Sequence, residues 1–345
     1  MKNVATNYAM LLALMAATAF TSCKKDGATP TNGINPVNGN QRAAVNAQQT
    51  SSPSYADLAL RWAPVHYQDV DVTGTYSISG KSDYITNVNF DNDWIATNNW
   101  NNLANSAYPA YAHGYYSVVE TRTHWFITYG FYHGRDWTDN PLAYYLDQHE
   151  NDMEGAMFII KKDANLYGTL LGIVTVVHSD FYSYVPDGSP LQGNEESVDG
   201  TLKFLTWSNY PHPVTAQSAK GHDLKAWPYN DIVGDGIIYW PSLTTAGLPT
   251  SADDRNVQYK LVDIFSNGGM WDQRFNTDFF YDAGGGIKSS YGSGNANAPW
   301  AWDDHDDKPG SGEIATDPAN LTQHYFKNLG DFDLNYINNK YKGIQ

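Results

Sequence analysis

Short apolar runs separated by clusters of Gly, Pro, Asn and Asp dominate the chain. Tyr115-Tyr116-Ser117-Val118-Val119-Glu120 and His124-Trp125-Phe126-Ile127-Thr128-Tyr129 flank Thr121-Arg122-Thr123, the pattern of a hairpin with a short loop. A second hairpin is predicted from Gly155–Ile160 and Leu170–Val177 around a polar turn holding Asp163, Asn165 and Gly168. Residues 202–205, 214–217, 223–227, 236–240 and 257–262 continue the series of short strands. Helical signals are few. Ser54 is a good N-cap for a short helix through Arg61, and Pro318 with Leu321 and Tyr325 four apart marks another after Thr316 or Asp317. These elements predict a mainly β protein, an antiparallel β-sandwich with long loops and a few short helices.

The N-terminal segment breaks this pattern. Lys2 precedes a 12-residue apolar core, Ala9–Phe20, a length suited to a signal h-region and short for a membrane span. Thr21-Ser22 then lead to Cys23, the only cysteine, so residues 1–22 resemble a bacterial lipoprotein signal and Cys23 the lipid-modified residue. Residues 23–52 are almost devoid of apolar side chains and are expected to be a flexible tether. Residues 53–345 show no break in composition and are expected to form a single domain. The expected location is the bacterial outer membrane or cell surface, with the N-terminal lipid as the membrane contact.

Composition narrows the function classes. With 345 residues, 41% of them hydrophobic and 14% aromatic, the chain can bury a sizeable core. The formal charge of −16 repels phosphate backbones, which argues against nucleic acid as a partner. A single cysteine excludes a disulfide framework and thiolate metal sites in the folded part. There is no Gly-x-Ser-x-Gly elbow and no phosphate-cradling glycine loop.

The sharpest chemistry lies between Phe131 and Gly155. His149-x-x-Asp152-x-Glu154 runs straight into the apolar Ala156–Ile160. If a strand begins near Asp152, the period of two puts Asp152 and Glu154 on one face, with His149 just before it. Crowded carboxylates repel unless a cation or a proton is shared. Oxygen ligands with one imidazole suit Mg, Mn or Ca, and Asp136 is a further candidate ligand. A second candidate cation loop is Asp303, Asp304, Asp306 and Asp307, although the EF-hand pattern fails where Lys308 stands in place of the sixth-position Gly. His222 in Gly221-His222-Asp223 could complete the metal shell or act as a base. Trp94 through Trp100 and Trp207-Ser208-Asn209-Tyr210 lie in polar loops, where aromatics can present a platform to sugars.

Phe131-Tyr132, Asp136 and His149-x-x-Asp152-x-Glu154-Gly155 together resemble the core motif of the necrosis-inducing NLP-type cytolysin family. The segment also resembles the related vacuolar protein sorting 62 type proteins and uncharacterised bacterial relatives. That family carries an aromatic-aromatic-x-x-x-Asp strand end followed by Gly-His-Arg-His-Asp-Trp-Glu. The resemblance implies a β-sandwich with a divalent cation held by Asp136, His149, Asp152 and Glu154 beside a cleft that recognises membrane sugars. Asn151 stands where the motif has its second His, and Met153 where it has Trp. The expected function is therefore a surface lipoprotein that binds an extracellular glycan or glycolipid, with toxicity not carried over. The alternative is a metal-assisted hydrolase or lyase acting on an extracellular polysaccharide or ester, with Glu154 or His222 as the proton-transfer group.

Overall fold

The computed structural model describes residues 52–142, 146–277, 285–292 and 296–345. The leader, Cys23 and all of the tether except residue 52 lie outside the described residues. The protein is mainly β, as the strand pattern predicts. Its strands are β1 (Val65–Asp69), β2 (His113–Thr121), β3 (His124–Asp136), β4 (His149–Lys161), β5 (Thr169–Val177), β6 (Asp180–Val185), β7 (Gln192–Gly193), β8 (Gly200–Thr201) and β9 (Phe204–Trp207). They continue with β10 (Tyr210–Gln217), β11 (Leu224–Ala226), β12 (Gly236–Ser242), β13 (Val257–Asp263), β14 (Gly286–Ile287), β15 (Ala296–Asn297), β16 (Phe326–Lys327) and β17 (Tyr336–Asn338). Among the described residues no helix is long and apolar enough to cross a membrane.

Thirteen strands form one sheet in the order β11-β10-β1-β12-β13-β2-β3-β4-β5-β6-β8, with β17 added to β2 and β9 to β10. The run from β2 to β6 is an antiparallel meander joined by the two predicted hairpins. Four pairs run parallel: β1–β10, β12–β13, β13–β2 and β6–β8. The mainly β architecture is as expected, and the large sheet is mixed at these four pairs, where the expectation is antiparallel pairing. Hairpin signals see only neighbours in sequence, whereas these pairs join strands separated by long connections.

The 13-residue strands β3 and β4 are buried along almost their whole length, so both of their faces are covered. This accounts for the unbroken apolar run Ala156–Ile160, which a half-exposed strand would interrupt with polar residues. The sheet curls, and β11, first in the strand order, packs against β4 and β5 in its middle. The curl lays the turn between β10 and β11 over the rim where β3 ends and β4 begins.

The two predicted helices form. In the first (α1, Tyr55–Trp62), Ser54 Oγ accepts from the Asp57 amide at 3.1 Å, and Leu58, Ala59 and Trp62 are buried. Three further helices follow: α2 (Asn99–Asn102), α3 (Met270–Gln273) and α4 (Glu313–Thr316). The second predicted helix is α5 (Pro318–Tyr325), which opens on its proline and buries Leu321 and Tyr325.

Candidate metal centre

The end of β3 and the start of β4 carry the predicted residues. Asp136 lies opposite His149, Oδ2 to Nε2 3.5 Å, while His133 faces Asp152 and Phe131 faces Glu154. Strict alternation would put His149 and Asp152 on opposite faces. Asn151 interrupts it with a left-handed φ of 63°. Its buried amide is pinned on both sides: Nδ2 donates to the Ala96 and Lys288 carbonyls at 2.9 and 2.7 Å, and Oδ1 accepts from Tyr132 and Asn99. His149, Asp152 and Glu154 consequently line one cavity of about 210 Å³, together with His178, Asp303 and His305.

The back wall is built by Trp302. Its ring nitrogen donates to the Met153 and Asn297 carbonyls, each at 2.9 Å. A Cβ at Gly155 would fall 2.5 Å from the Trp302 ring and 1.9 Å from the Tyr129 carbonyl oxygen. Only glycine lets the indole lie against the strand directly after Glu154.

The β10–β11 turn supplies His222, which is fully buried. His222 Nδ1 is 2.7 Å from Asp152 Oδ2, and Nε2 is 3.4 Å from Asp83 Oδ1. Burial opposes its charge, yet the two carboxylates outweigh that and lift its pKa to about 10. Asp152 in turn is held down at about 2, because the His222 hydrogen bond overcomes the penalty of burial. Asp83 is fixed by the Trp137 ring N–H and by the Lys220 and Asp71 amides.

Glu154 meets a second histidine. Its Oε1 accepts from the His178 amide at 2.7 Å and its Oε2 from the Leu224 amide at 3.0 Å. The His178 ring bridges Glu154, 3.3 Å from Nδ1, and Asp223, 2.7 Å from Nε2. The Asp223 contact raises His178 to about 9, so this imidazolium holds the place of a cation between two carboxylates. Ligand atoms of Glu154, His178 and Asp223 all lie within 4.8 Å of one another. Burial, then the Asp152 charge, pushes Glu154 well above the usual carboxylate range and Asp136 up to about 7. Among the described residues the ligand atoms that gather at this cavity are those of Glu154, His178 and Asp223, whereas Asp136, His149, Asp152 and Glu154 do not all come within 4.8 Å of one another. The carboxylates lining the cavity are Asp152, Glu154 and Asp303.

The acidic loop divides. Asp303 and His305 line the cavity, Asp304 and Asp306 gather with Asp180 within 4.8 Å, and Asp307 turns towards Glu196. His178, Asp223, Asp83 and His133 are the site residues that the metal motif alone does not point to. His178 and His222 both adopt left-handed backbone, φ 52° and 55°, a conformation that non-glycine residues hold only under constraint.

No family model and no curated protein matches the chain. Among solved structures it is similar to a toxin fold for microbial attack and plant defense, with 15% identity, a TM-score of 0.34 and coverage of 74% of this chain and 90% of that one. NLPPya in complex with glucosamine aligns at 16% identity and a TM-score of 0.34, over 74% and 90% of the two chains. Necrosis and Ethylene inducing Protein 2, from the causal agent of cocoa's witches' broom disease, aligns at 13% identity and 0.33, over 73% and 88%.

Proposed function

We propose that the chain is a lipid-anchored surface protein whose cavity holds a divalent cation and uses it to bind the sugar head of an extracellular glycan or glycolipid. The observation that carries this reading is the convergence of His149, Asp152 and Glu154 on one cavity, with Asp136 paired to His149. Asp136, His149, Asp152 and Glu154 would hold the ion, and His178 and Asp223 stand ready at its edge. A bound cation would supply an electropositive point for vicinal sugar hydroxyls. The chain's own residues do the rest. His222 keeps Asp152 ionised, the Leu224 and His178 amides orient Glu154, and Trp302 closes the back of the cavity.

His222 is sealed between two carboxylates with no exposed surface, which favours a positioning role over proton transfer to a substrate. Glu154, which lines the cavity and which burial pushes well above the usual carboxylate range, is then the proton-transfer group of the hydrolytic alternative, and sugar turnover that disappears on chelation would favour that alternative. Calorimetric titration of the chelator-treated protein with Mg, Mn and Ca tests the cation. Binding is expected in the wild type and lost in the His149→Ala plus Asp152→Ala variant, and the reading fails if no ion binds. Glucosamine and mannosamine, added with and without the ion, are suitable first sugar probes. The anchor is tested by metabolic labelling with a fatty-acid analogue, which Cys23→Ala should abolish.

A further inference from the structure

A second cavity, of about 230 Å³, shares no lining residue with the first. Its floor is Tyr115 and Met270, both buried, and its rim carries Trp94, His113 and the amides of Asn87, Asn89 and Asn267. Among the described residues no Asp, Glu, Lys or Arg lines it, which is unusual in a chain of formal charge −16. His113 Nδ1 lies 2.8 Å from the Tyr111 carbonyl, so that nitrogen carries the proton and Nε2 is left as an acceptor. Burial keeps this imidazole neutral by lowering its pKa. The Asn87 amide donates to Asn89 Oδ1 at 2.7 Å, which fixes the two side chains relative to each other. The facing loop is held by the Gly268 amide, which donates to Asp272 Oδ2 at 2.7 Å.

We infer that this cavity is a cation-independent subsite for one neutral pyranose ring. Each carboxamide offers a donor and an acceptor in one plane, which matches a pair of neighbouring hydroxyls, and an indole suits the C–H face of a sugar ring. A charged ligand would find no counter-charge among the lining residues. The volume falls below the roughly 300 Å³ at which pockets for drug-sized ligands begin, and so fits a single ring. The inference extends the glycan reading above but does not need its cation.

The test is saturation-transfer NMR on the full chain with methyl glucoside, galactoside and mannoside in excess EDTA. At least one is expected to bind, with affinity falling about tenfold or more in Trp94→Ala and in Asn267→Ala and holding in Glu154→Gln. Asn267 is exposed, so its truncation reports on binding even if Trp94→Ala fails to fold. The inference is overturned if none of the three binds, or if binding survives Asn267→Ala undiminished, whether or not Trp94→Ala folds. It is also overturned if EDTA or Glu154→Gln abolishes binding, since the sugar then sits at the first cavity. Calorimetry of the cation alone judges the earlier reading separately.

Discussion

His222 lies flat on His133, with ring centroids 3.7 Å apart and planes 5° from parallel. Only one of the two can carry charge at neutral pH. His222 takes it, because Asp152 and Asp83 flank its ring nitrogens, whereas burial and then the His222 charge hold His133 well below the usual imidazole range. His133 is oriented from its other side by Gln217, whose Oε1 is 3.2 Å from Nε2. The Gln217 amide donates to the His222 carbonyl at 2.6 Å and so braces the turn that delivers His222.

Removing His222 leaves Asp83 and Asp152 buried with no positive group between them. His222→Ala is expected to cost about 3–5 kcal/mol of stability, the range found when one partner of a buried ion pair is deleted. Urea denaturation at pH 7 measures it. A loss below about 1 kcal/mol would show that the pair is replaced by water, and would remove the account of how Asp152 is kept ionised.

A buried histidine that is not itself a candidate ligand sets an acid limit. His66 stacks on Phe131 at 4.0 Å, its Nδ1 lies 3.0 Å from Thr215 Oγ1, and burial lowers its pKa to about 3. The unfolded chain takes up this proton near pH 6.5 and the folded chain only near 3. Its contribution is therefore intact above pH 6.5 and lost as pH falls from there towards 3, at about 1.4 kcal/mol per pH unit. His66→Leu should lose less stability between pH 7 and 4.5 than the wild type does. Parallel pH curves for the two proteins would contradict this.

The motif that this segment resembles has a histidine where Asn151 stands. Asn151→His would place an imidazole on left-handed backbone and strip the buried amide contacts to Ala96, Lys288, Tyr132 and Asn99. A cost of about 2–4 kcal/mol is expected from the lost hydrogen bonds and the unsatisfied groups they leave. Thermal unfolding reads it directly, and a neutral result would mean that the rim can rebuild around the larger ring.

Cation binding should be visible as stability. An ion at about 100 times its Kd adds about 2.7 kcal/mol to a protein that binds it only when folded. Mg, Mn or Ca should therefore raise the melting temperature, EDTA should reverse the rise, and Glu154→Gln should abolish it. Equal melting curves with and without each ion would count against the site.

The hairpins, both predicted helices and the rim position of His149, Asp152 and Glu154 were legible because they rest on local signals. Ser54 capped its helix, and the polar turn around Asp163 joined β4 to β5. His178 and Asp223 were hidden because their partner Glu154 lies 24 and 69 positions away in sequence, and only the curl of the sheet closes that gap. The side-by-side placement of Asp152 and Glu154 followed from the strand period. His149 reached the same cavity through the left-handed turn at Asn151, which no periodicity announces. The parallel strand pairs were invisible for a similar reason, since nothing at Val65 points to Val214.

Two short segments each serve two acidic groups, one through the turn at His178-Ser179 and the other through alternation along Asp303–Asp306. His178 faces the cavity while Asp180 joins Asp304 and Asp306, and along the other segment Asp303 and His305 face the cavity while Asp304 and Asp306 face away. Length in these segments is therefore as constrained as residue identity. One residue deleted from the His178-Ser179 turn would shift the two sets of donors against each other with every side chain chemistry retained. Drift in this chain should be tolerated by substitution at Ser179 and resisted as insertion or deletion beside it.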